Sequence, residues 1–512
     1  EIDPEYIVLA ETLPTDYNGA TQYGLDGGYL KEIEGLTHIW EVDTMSNTVG
    51  MRKAKEDDWI SFISALKYTS AAAGKKPSWV FSYGIAPDDA EQVMSQALIA
   101  GNNAYELQVP EMTTTVGGDF RRRMFGFTKA FSPYIFESDS LATVGILFSS
   151  ASRDYVDKFF GLGMFVNTDG QGDPLWWAEY PVDSAFERAY LAEHRGFVEL
   201  CVNKHIPFNA LVFPDKAELS SYKVLILPNI QAMSDAEASL VREFVNNGGH
   251  IIATGPNPGG WDQHGNERQE YALGDVLQIQ KSVPLPPETI TNYGSGTAYF
   301  FSEQIGQKYF TGTDTARGEL LGNTIRGLGL VPVTLPNADR RIHVELSLLN
   351  DQLILQFTNF IGMDGAGTNG DLRIVPHTFD VSLSVGKIVT KVELASPDFG
   401  ASRQSIQFTQ ANDLNFQVVD AKQYSMAIIS FEGAQNPSLD HVPAPGTDYF
   451  QTNVNTPLPF ANEQLLSNDG DLDGGALFVA NVRPKSDTAG NVIFQGDGTY
   501  LYTPPQGFVG TD

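Results

Sequence analysis

Three acidic residues lie at the carboxyl ends of predicted strands near the start of the chain. Glu11 ends the run "YIVLAE", and Glu41 and Asp43 lie at the end of "HIWEVD". In a parallel strand–helix array such side chains reach a shared open mouth. Two carboxyl groups that flank a bond can protonate a leaving oxygen and act as nucleophile or activate water, as glycosidic bond cleavage requires. We interpret all three as candidate catalytic residues; the alternative is that they cap or pair with the following helices.

Aromatic residues near these strand ends are candidate substrate contacts, because the C–H face of a sugar ring packs on an aromatic face. Some lie in or next to the predicted strands, and two are adjacent in the later stretch "PLWWAEY". The candidates are Trp40, Trp79, Tyr83, Trp176 and Trp177. For Trp40 and Trp79 the alternative is a place in the buried core, whereas the adjacent pair Trp176 and Trp177 is harder to explain as core.

A short acidic stretch near the end of the chain has the composition of a calcium site. Asn468, Asp469, Asp471 and Asp473 place four oxygen-bearing side chains within six residues, interrupted by glycines. Alternating side chains and backbone carbonyls can converge on a hard cation such as Ca²⁺. No glutamate occupies the closing position of an EF-hand, and an acidic turn without an ion is the alternative.

The candidate catalytic residues belong to a block of alternating strands and helices, residues 1–136. Its predicted strands are "YIVLAE", "HIWEVD", "SWVFSYG" and "AYELQV", with helical patterns such as "DDWISFISALKYTSAAAG" between them. Four such units predict part of a parallel α/β array, either an open sheet or the carboxyl-side half of a (β/α)8 barrel.

A second α/β block, residues 137–283, contains the segment "KVLILPNIQAMSDAEASLVREFVNNGGHIIATG". Ser234 is a predicted N-cap before an amphipathic helix, and the two flanking apolar runs predict parallel strands. A dinucleotide site would need glycines in the loop "PNIQAMS", and an amidotransferase would need a cysteine at a strand-to-helix elbow. The one cysteine, Cys201, falls instead in a predicted helix as a small buried residue.

The rest of the chain is predicted to be all-β. Residues 284–433 show short strands with Asn, Asp and Gly turns, which favour a β-sandwich. A Pro-rich linker spans 434–450, and residues 451–512 form a further small β domain that stops in mid-pattern. The chain also begins without methionine, as a processed or trimmed product would.

Composition narrows the possible partners. With 33 Lys plus Arg against 63 Asp plus Glu, the formal net charge is -30. We therefore expect no nucleic-acid partner, because phosphate binding needs clustered cations. No apolar run is long enough for a membrane span, and no motif indicates an organic cofactor.

Two segments resemble known families. The stretch from "FERAYLAEHRGF" through "L..YKVLILP" and "S..E...L..FV..GG.II.TG" is similar to the amidotransferase-like trimerisation domain of family 42 β-galactosidases. That resemblance implies subunit contact without amidotransferase chemistry. The stretch "LLSNDGDLDGGALFVANV" followed by "GDGTYLYTPPQGFVGTD" resembles bacterial cadherin-like or Ig-like repeats of secreted surface proteins.

The chain departs from the family 42 pattern at the expected positions of the catalytic carboxylates. That family places its carboxylates after the fourth and seventh barrel strands. Counting back from "AYELQV" makes "SWVFSYG" the seventh strand, and its end offers Tyr83 and no glutamate; the fourth would precede residue 1. A group resembling α-galactosidases uses the fourth and sixth strand ends, and Asp43 would match its acid/base.

The sequence therefore predicts a multidomain α/β plus all-β protein with a (β/α) barrel portion, a flavodoxin-like domain, a β-sandwich and an Ig-like domain. We expect a secreted or cell-surface glycoside hydrolase, or its C-terminal portion, that acts on a carbohydrate, binds Ca²⁺ and forms a homo-oligomer. The alternative is a non-catalytic extracellular surface or filament protein built on a glycosidase-like scaffold, with calcium-dependent assembly. Four further strand–helix units with a carboxylate at the fourth strand end would favour the enzyme.

Overall fold

A computed structural model describes residues 9–12, 36–39, 58–74, 78–82, 87–106, 116–156, 189–212, 214–361, 375–400, 402–432, 448–467, 477–479, 482, 484–486 and 490–510. The chain divides into two compact units. The first contains residues 1–125 and 133–437, and the second contains residues 126–132 and 438–512.

The first block is a parallel sheet whose strands follow one another in chain order. Its strands are β1 (Leu9–Thr12), β2 (Leu36–Ile39), β3 (Ser78–Ser82) and β4 (Asn103–Glu106). Helix α1 (Asp58–Ala73) precedes β3 and helix α2 (Pro87–Ile99) precedes β4. Gly74 follows α1 with a φ of 64°, the left-handed conformation that ends many helices. Neighbouring parallel strands joined by helices are the arrangement predicted for a (β/α) barrel portion.

Helices α3 (Val116–Ala130) and α4 (Ser132–Phe136) lead from this block to a short strand, β5 (Asp139–Ser140). A second α/β layer then begins. Its sheet has the order β10-β11-β9-β8-β6-β7, with every neighbouring pair parallel except β10 and β11. The strands are β6 (Val144–Phe148), β7 (Phe208–Val212), β8 (Val224–Leu227), β9 (His250–Thr254), β10 (Glu288–Tyr293) and β11 (Gly296–Phe301).

Helices cover the faces of this sheet. They are α5 (Ser150–Val156), α6 (Ala189–Asn203), α7 (Lys216–Leu219), α8 (Asp235–Asn246), α9 (Gly274–Leu277), α10 (Ile305–Phe310) and α11 (Thr315–Leu328). The parallel strands β7-β6-β8-β9-β11 have the order 2-1-3-4-5 of flavodoxin-like folds. Helix α8 begins at Ser234 with a capping box, in which the Ser234 hydroxyl and the Glu237 carboxylate each accept a backbone N–H bond.

The α/β block extends further along the chain than the sequence indicated. Residues 288–301 form two strands of the six-stranded sheet, and α10 and α11 follow, whereas the predicted sandwich began at residue 284. Exposed and partly buried residues alternate along β10, because it is the antiparallel edge strand. That alternation is also typical of a sandwich strand, so sequence pattern alone cannot tell the two apart.

The β-sandwich has two antiparallel sheets. One has the order β12-β15-β19-β18 and the other the order β17-β16-β20-β14-β13-β5. The strands are β12 (Val333–Thr334), β13 (Ile342–Leu349), β14 (Gln352–Asn359), β15 (His377–Ser384), β16 (Val389–Ala395), β17 (Arg403–Ser405), β18 (Phe408–Gln410), β19 (Asp413–Ala421) and β20 (Tyr424–Phe431). Asn350 and Asp351 join β13 to β14 with φ of 47° and 61°, as a two-residue hairpin turn requires.

A buried ion pair ties helix α1 to the other two blocks of the first unit. Lys67 Nζ donates to Glu345 Oε1 in β13 at 2.5 Å and to the backbone oxygen of Phe208 in β7 at 3.1 Å. His343 Nε2 lies 2.9 Å from the same carboxylate oxygen. Burial alone would raise the pKa of Glu345, but Lys67 and His343 outweigh it and hold that pKa below its ordinary value.

The second unit contains a three-stranded antiparallel sheet. Strand β23 (Thr499–Thr503) lies between β21 (Leu458–Ala461) and β22 (Asn491–Phe494), and helix α12 (Asn462–Leu465) follows β21. Phe460 and Phe494 lie directly opposite Tyr500 from the two sides, with ring centroids 5.3 and 5.2 Å from the Tyr500 ring. Short strands are what the sequence predicts here. Across the described part of the chain, no helix is both long and apolar enough to cross a bilayer.

Candidate functional site

The carboxyl ends of β1 to β4 form the candidate active-site edge. The strands are parallel, and their register aligns Thr12 with Ile39 and Ile39 with Val80. One row earlier, Glu11 is paired with His38, and His38 is paired with Trp79. Glu11 and Trp79 therefore occupy the same row, two strands apart. That row contains the next-to-last residue of β1, the second residue of β3 and the first residue of β4, so in β3 and β4 it lies below the carboxyl ends where β/α folds place their catalytic residues.

Most of the predicted site residues fall outside the residues that the structure describes. These are Trp40, Glu41, Asp43, Tyr83, Trp176 and Trp177, together with the predicted calcium ligands Asn468, Asp469, Asp471 and Asp473. In the chain, Trp40 directly follows the last residue of β2 and Tyr83 directly follows the last residue of β3. Their assignments stay predictions. Within the described residues, no cluster of three or more His, Cys, Asp or Glu could hold a metal ion.

A fourth carboxylate at this edge was missed in the sequence. Glu106 is the last described residue of β4 and is paired in register with Ser82, the last residue of β3. The run "AYELQV" suggested a strand that continues to Val109, which made Glu106 an interior position. Its register with Ser82, the residue before Tyr83, places Glu106 level with the end of β3.

The opposite end of the same sheet is fixed by buried hydrogen bonds. Ser78 Oγ, at the start of β3, donates to Asn102 Oδ1 at 2.6 Å, and Asn102 Nδ2 donates to the backbone oxygen of Leu66 in α1 at 2.9 Å. Both polar side chains are buried, so these bonds satisfy groups that would otherwise cost free energy. These bonds connect the start of β3 and the residue before β4 to helix α1.

The second α/β domain has its own polar cluster at the carboxyl ends of its strands. Ser152 Oγ, in α5, accepts backbone N–H bonds from Gln231 and Ala232 after β8, at 3.0 and 2.9 Å. Asn229 is fully buried in a left-handed conformation, and a Cβ on Gly255 would lie 2.2 Å from Asn229 Oδ1. This is the edge where open α/β sheets bind ligands. In this domain, buried side chains and backbone fill it.

Glu193 is the buried acid of this cluster. Its carboxylate accepts hydrogen bonds from Thr254 Oγ1 at 2.6 Å and from the backbone N–H of Gln307 at 2.7 Å. Burial outweighs these bonds and raises the pKa of Glu193 to about 7. The residue joins helix α6 to β9 and to the first turn of α10.

Amidotransferase chemistry has no nucleophile in this domain's described residues. Cys201 lies in α6 and is fully buried, and burial raises the pKa of its thiol. A reactive cysteine needs a lowered pKa and access to substrate. The structure therefore agrees with the absence of an elbow cysteine in the sequence.

Two family models match parts of the chain. Residues 185–281 match the model described as "Beta-galactosidase trimerisation domain", and residues 440–512 match "Cadherin-like domain". Comparison with curated protein sequences gives no match. The trimerisation match covers α6 to α9, the part of the α/β domain that contains Glu193 and Cys201.

Solved structures share the fold at low sequence identity. A catalytic mutant of Gan42B, a GH42 beta-galactosidase from G. stearothermophilus, is 12% identical with a TM-score of 0.56, covering 84% of this chain and 64% of that one. A beta-galactosidase from Bacillus circulans sp. alkalophilus is 12% identical with a TM-score of 0.55, covering 83% and 64%. Alpha-L-fucosidase isoenzyme 2 from Paenibacillus thiaminolyticus is 13% identical with a TM-score of 0.50, covering 74% and 64%.

The chain spans 64% of the length of these three structures, so the likeness establishes the fold. The barrel portion, the α/β domain and the β-sandwich follow one another as the sequence predicts, and both predicted family resemblances are confirmed. This protein therefore has the fold of the GH42 β-galactosidases and related glycoside hydrolases, and it contains a β-galactosidase trimerisation domain and a cadherin-like domain.

Proposed function

We propose that the chain belongs to a secreted glycoside hydrolase that cleaves glycosidic bonds of a poly- or oligosaccharide by carboxylate acid/base catalysis. The observation that carries the proposal is the parallel sheet in which Glu11 is the next-to-last residue of β1, in a chain with the fold of GH42 enzymes. Hydrolysis of a glycosidic bond needs two carboxyl groups around the bond, and this edge has several candidates.

The proposed roles follow the strand order. Asp43, beyond the end of β2, is the acid/base, and Glu11 or Glu41 assists it. Glu106, at the end of described β4, is an additional candidate for the second carboxyl group. Trp40 and Tyr83, directly after β2 and β3, would stack on sugar rings at this edge, and Trp79 would contact sugar from the second residue of β3.

The test compares sugar release by the wild type with release by three variants, Asp43→Asn, Glu11→Gln and Glu106→Gln. Substrates are aryl glycosides and a panel of marine and plant polysaccharides. Loss of a general acid/base lowers the rate by roughly 10²–10⁴-fold. The matched control is Asp351→Asn, which removes an exposed carboxylate from the β13–β14 turn and should retain full activity.

A second function stays open: a non-catalytic extracellular protein that assembles or adheres through its cadherin-like domain. The observation in its favour is that Tyr83, and no carboxylate, directly follows β3, the strand that counting back from β4 makes the seventh of a barrel. GH42-like catalysis would require a carboxylate there. Calcium-dependent self-association without any sugar release would support this second function.

Calcium binding and oligomerisation are part of both proposals. Asn468, Asp469, Asp471 and Asp473 supply oxygen donors of the kind that Ca²⁺ prefers. The trimerisation domain supports a homo-oligomer, which sedimentation of the native protein would measure. The cadherin-like domain supports an extracellular location.

A further inference from the structure

A surface pocket of about 580 Å³ lies in the trimerisation domain, well apart along the chain from the candidate active-site edge. One wall is a single face of helix α8, with Asp235, Ser239 and Arg242 at spacings of four and three residues. The other wall is the segment from Arg268 to Ala272, which lies between β9 and α9. Its volume falls within the roughly 300–1,000 Å³ of small-molecule sites.

The arginines of this pocket are held in place by neighbours. Arg242 Nε donates to both carboxylate oxygens of Asp275, at 3.0 and 2.9 Å, and its Nη2 donates to the backbone oxygen of Ala272. Arg268 Nη2 donates to the backbone oxygen of Met233 at 2.8 Å, and its Nη1 lies 2.7 Å from Asp235 Oδ1. In the described residues, Arg242 Nη1 has no hydrogen-bond partner, so a fixed guanidinium presents free donors to the pocket.

Tyr271 supplies an anchored aromatic ring. The side chain is partly buried and packs against the hydrophobic core of the domain. Lys281 Nζ lies 5.7 Å from the ring centroid. Within the described part of the chain the Tyr271 hydroxyl has no hydrogen-bond partner. The pocket thus combines one rigid ring with an unused hydroxyl at the same residue.

The charges of the lining select a class of ligand. Arg242 and Arg268 are balanced by Asp235 and Glu270, so the pocket is formally neutral. An anion would face two carboxylates, and an apolar ligand would leave the charged and amide groups of the lining without partners. A neutral molecule with many hydroxyls satisfies both donors and acceptors and can pack a C–H face on Tyr271.

We infer that this pocket is a non-catalytic binding site for a neutral carbohydrate, with Tyr271 as the stacking platform and Arg242 as the main hydrogen-bond donor. The inference rests on the proposed function for its substrate class. Such a site would hold one part of a polysaccharide while a glycosidic bond in another part is cleaved at the candidate active-site edge. The site belongs to the trimerisation domain and needs no group from the barrel portion.

Calorimetric titration of the native oligomer with a galactose-containing tetrasaccharide tests the inference, with tetragalacturonate as the charged comparison. We expect saturable binding of the neutral sugar. Tyr271→Ala should raise its Kd about tenfold or more, whereas Tyr271→Phe, which keeps the ring, should raise it about threefold. Thermal unfolding of each variant checks that it is folded. Unchanged affinity in a folded Tyr271→Ala variant, or preference for tetragalacturonate, would overturn the inference.

Two further readouts separate this site from the proposed function. Hydrolysis of a small aryl glycoside should be equal in wild type and Tyr271→Ala, because that substrate reaches only the catalytic edge. If the protein hydrolyses no substrate and Tyr271→Ala still abolishes sugar binding, the proposed function fails and the pocket assignment stands. If Tyr271→Ala changes the sedimentation coefficient of the oligomer, the pocket is a subunit contact and the assignment is wrong.

Discussion

Lys67 and Glu345 form a buried ion pair that joins residues 278 positions apart, linking the barrel portion to the β-sandwich. Their side chains are 6% and 10% exposed, and the same ammonium group bonds the backbone of β7. The candidate active-site sheet is therefore held by a helix that is fixed to both other blocks of the first unit.

Removing the Lys67 ammonium group should lower the free energy of unfolding. Lys67→Met leaves the Glu345 carboxylate buried without its strongest partner, and we expect a loss of about 3–5 kcal/mol in the free energy of unfolding. Urea unfolding followed by tryptophan fluorescence measures it. The double variant Lys67→Met/Glu345→Leu should recover much of that loss, because no buried charge remains. Equal destabilisation by the single and double variants would contradict the assignment.

Acid should weaken the same junction. Because Glu345 has a pKa below its ordinary value in the folded protein, its stabilisation is complete above about pH 4.5 and is lost as pH falls through the folded pKa. We expect the Glu345→Gln variant to show a shallower decline of melting temperature below pH 4.5 than the wild type. Parallel declines in the two proteins would show that Glu345 makes no such contribution.

The pH dependence of stability that Glu193 contributes should be opposite to that of Glu345. The pKa of Glu193 is about 7 when folded against an ordinary value of 4.5, so the stability it contributes is complete below about pH 4.5 and is lost as pH rises through about 7. Each pKa unit corresponds to about 1.4 kcal/mol, so this titration should lower the free energy of unfolding by up to roughly 3 kcal/mol. Glu193→Gln removes the charge, keeps one acceptor oxygen for the backbone N–H of Gln307 and can donate its NH2 group to the Thr254 hydroxyl, so it should flatten the stability profile between pH 4.5 and 8. Parallel profiles of the wild type and Glu193→Gln over this range would rule out the raised pKa.

The contact between α6 and α10 depends on Gly196. A Cβ at this position would lie 1.8 Å from the backbone oxygen of Gly306, so Gly196→Ala must force the two helices apart. We expect a loss of about 1–3 kcal/mol or more in the free energy of unfolding. Gly327→Ala in α11 is the matched control, since a Cβ there meets nothing within 4 Å and should be neutral or stabilising by up to about 1 kcal/mol. Similar effects of the two substitutions would contradict the close approach.

Calcium should stabilise the cadherin-like domain. Adding a chelator is expected to lower the melting temperature of the transition assigned to this domain, and excess Ca²⁺ should restore it. Asp471→Asn combined with Asp473→Asn should abolish the response to calcium. A transition that ignores the chelator would remove the calcium assignment.

Local features were predictable from the sequence, whereas distant contacts were not. The Ser234 cap and helix α8 follow from residues a few positions apart, and the buried Cys201 follows from an apolar helix pattern. Lys67 and Glu345 resemble surface residues in their own segments, and only the packing of separate blocks buries them. Glu106 was missed because its level in the sheet depends on its register with Ser82 in the neighbouring strand. Strand β10 was assigned to the sandwich because its alternating pattern suits either sheet.

The most direct test of the central claim is the release of reducing sugar by the native protein, measured alongside Asp43→Asn, Glu11→Gln and the control Asp351→Asn. The proposed function predicts activity in the wild type and the control, and a loss of at least about 100-fold on substitution of the acid/base. Sugar release that survives every strand-end substitution, Glu41→Gln and Glu106→Gln included, would contradict catalysis by carboxylates at this edge. A native protein that releases no sugar from any substrate would leave the scaffold function in its place.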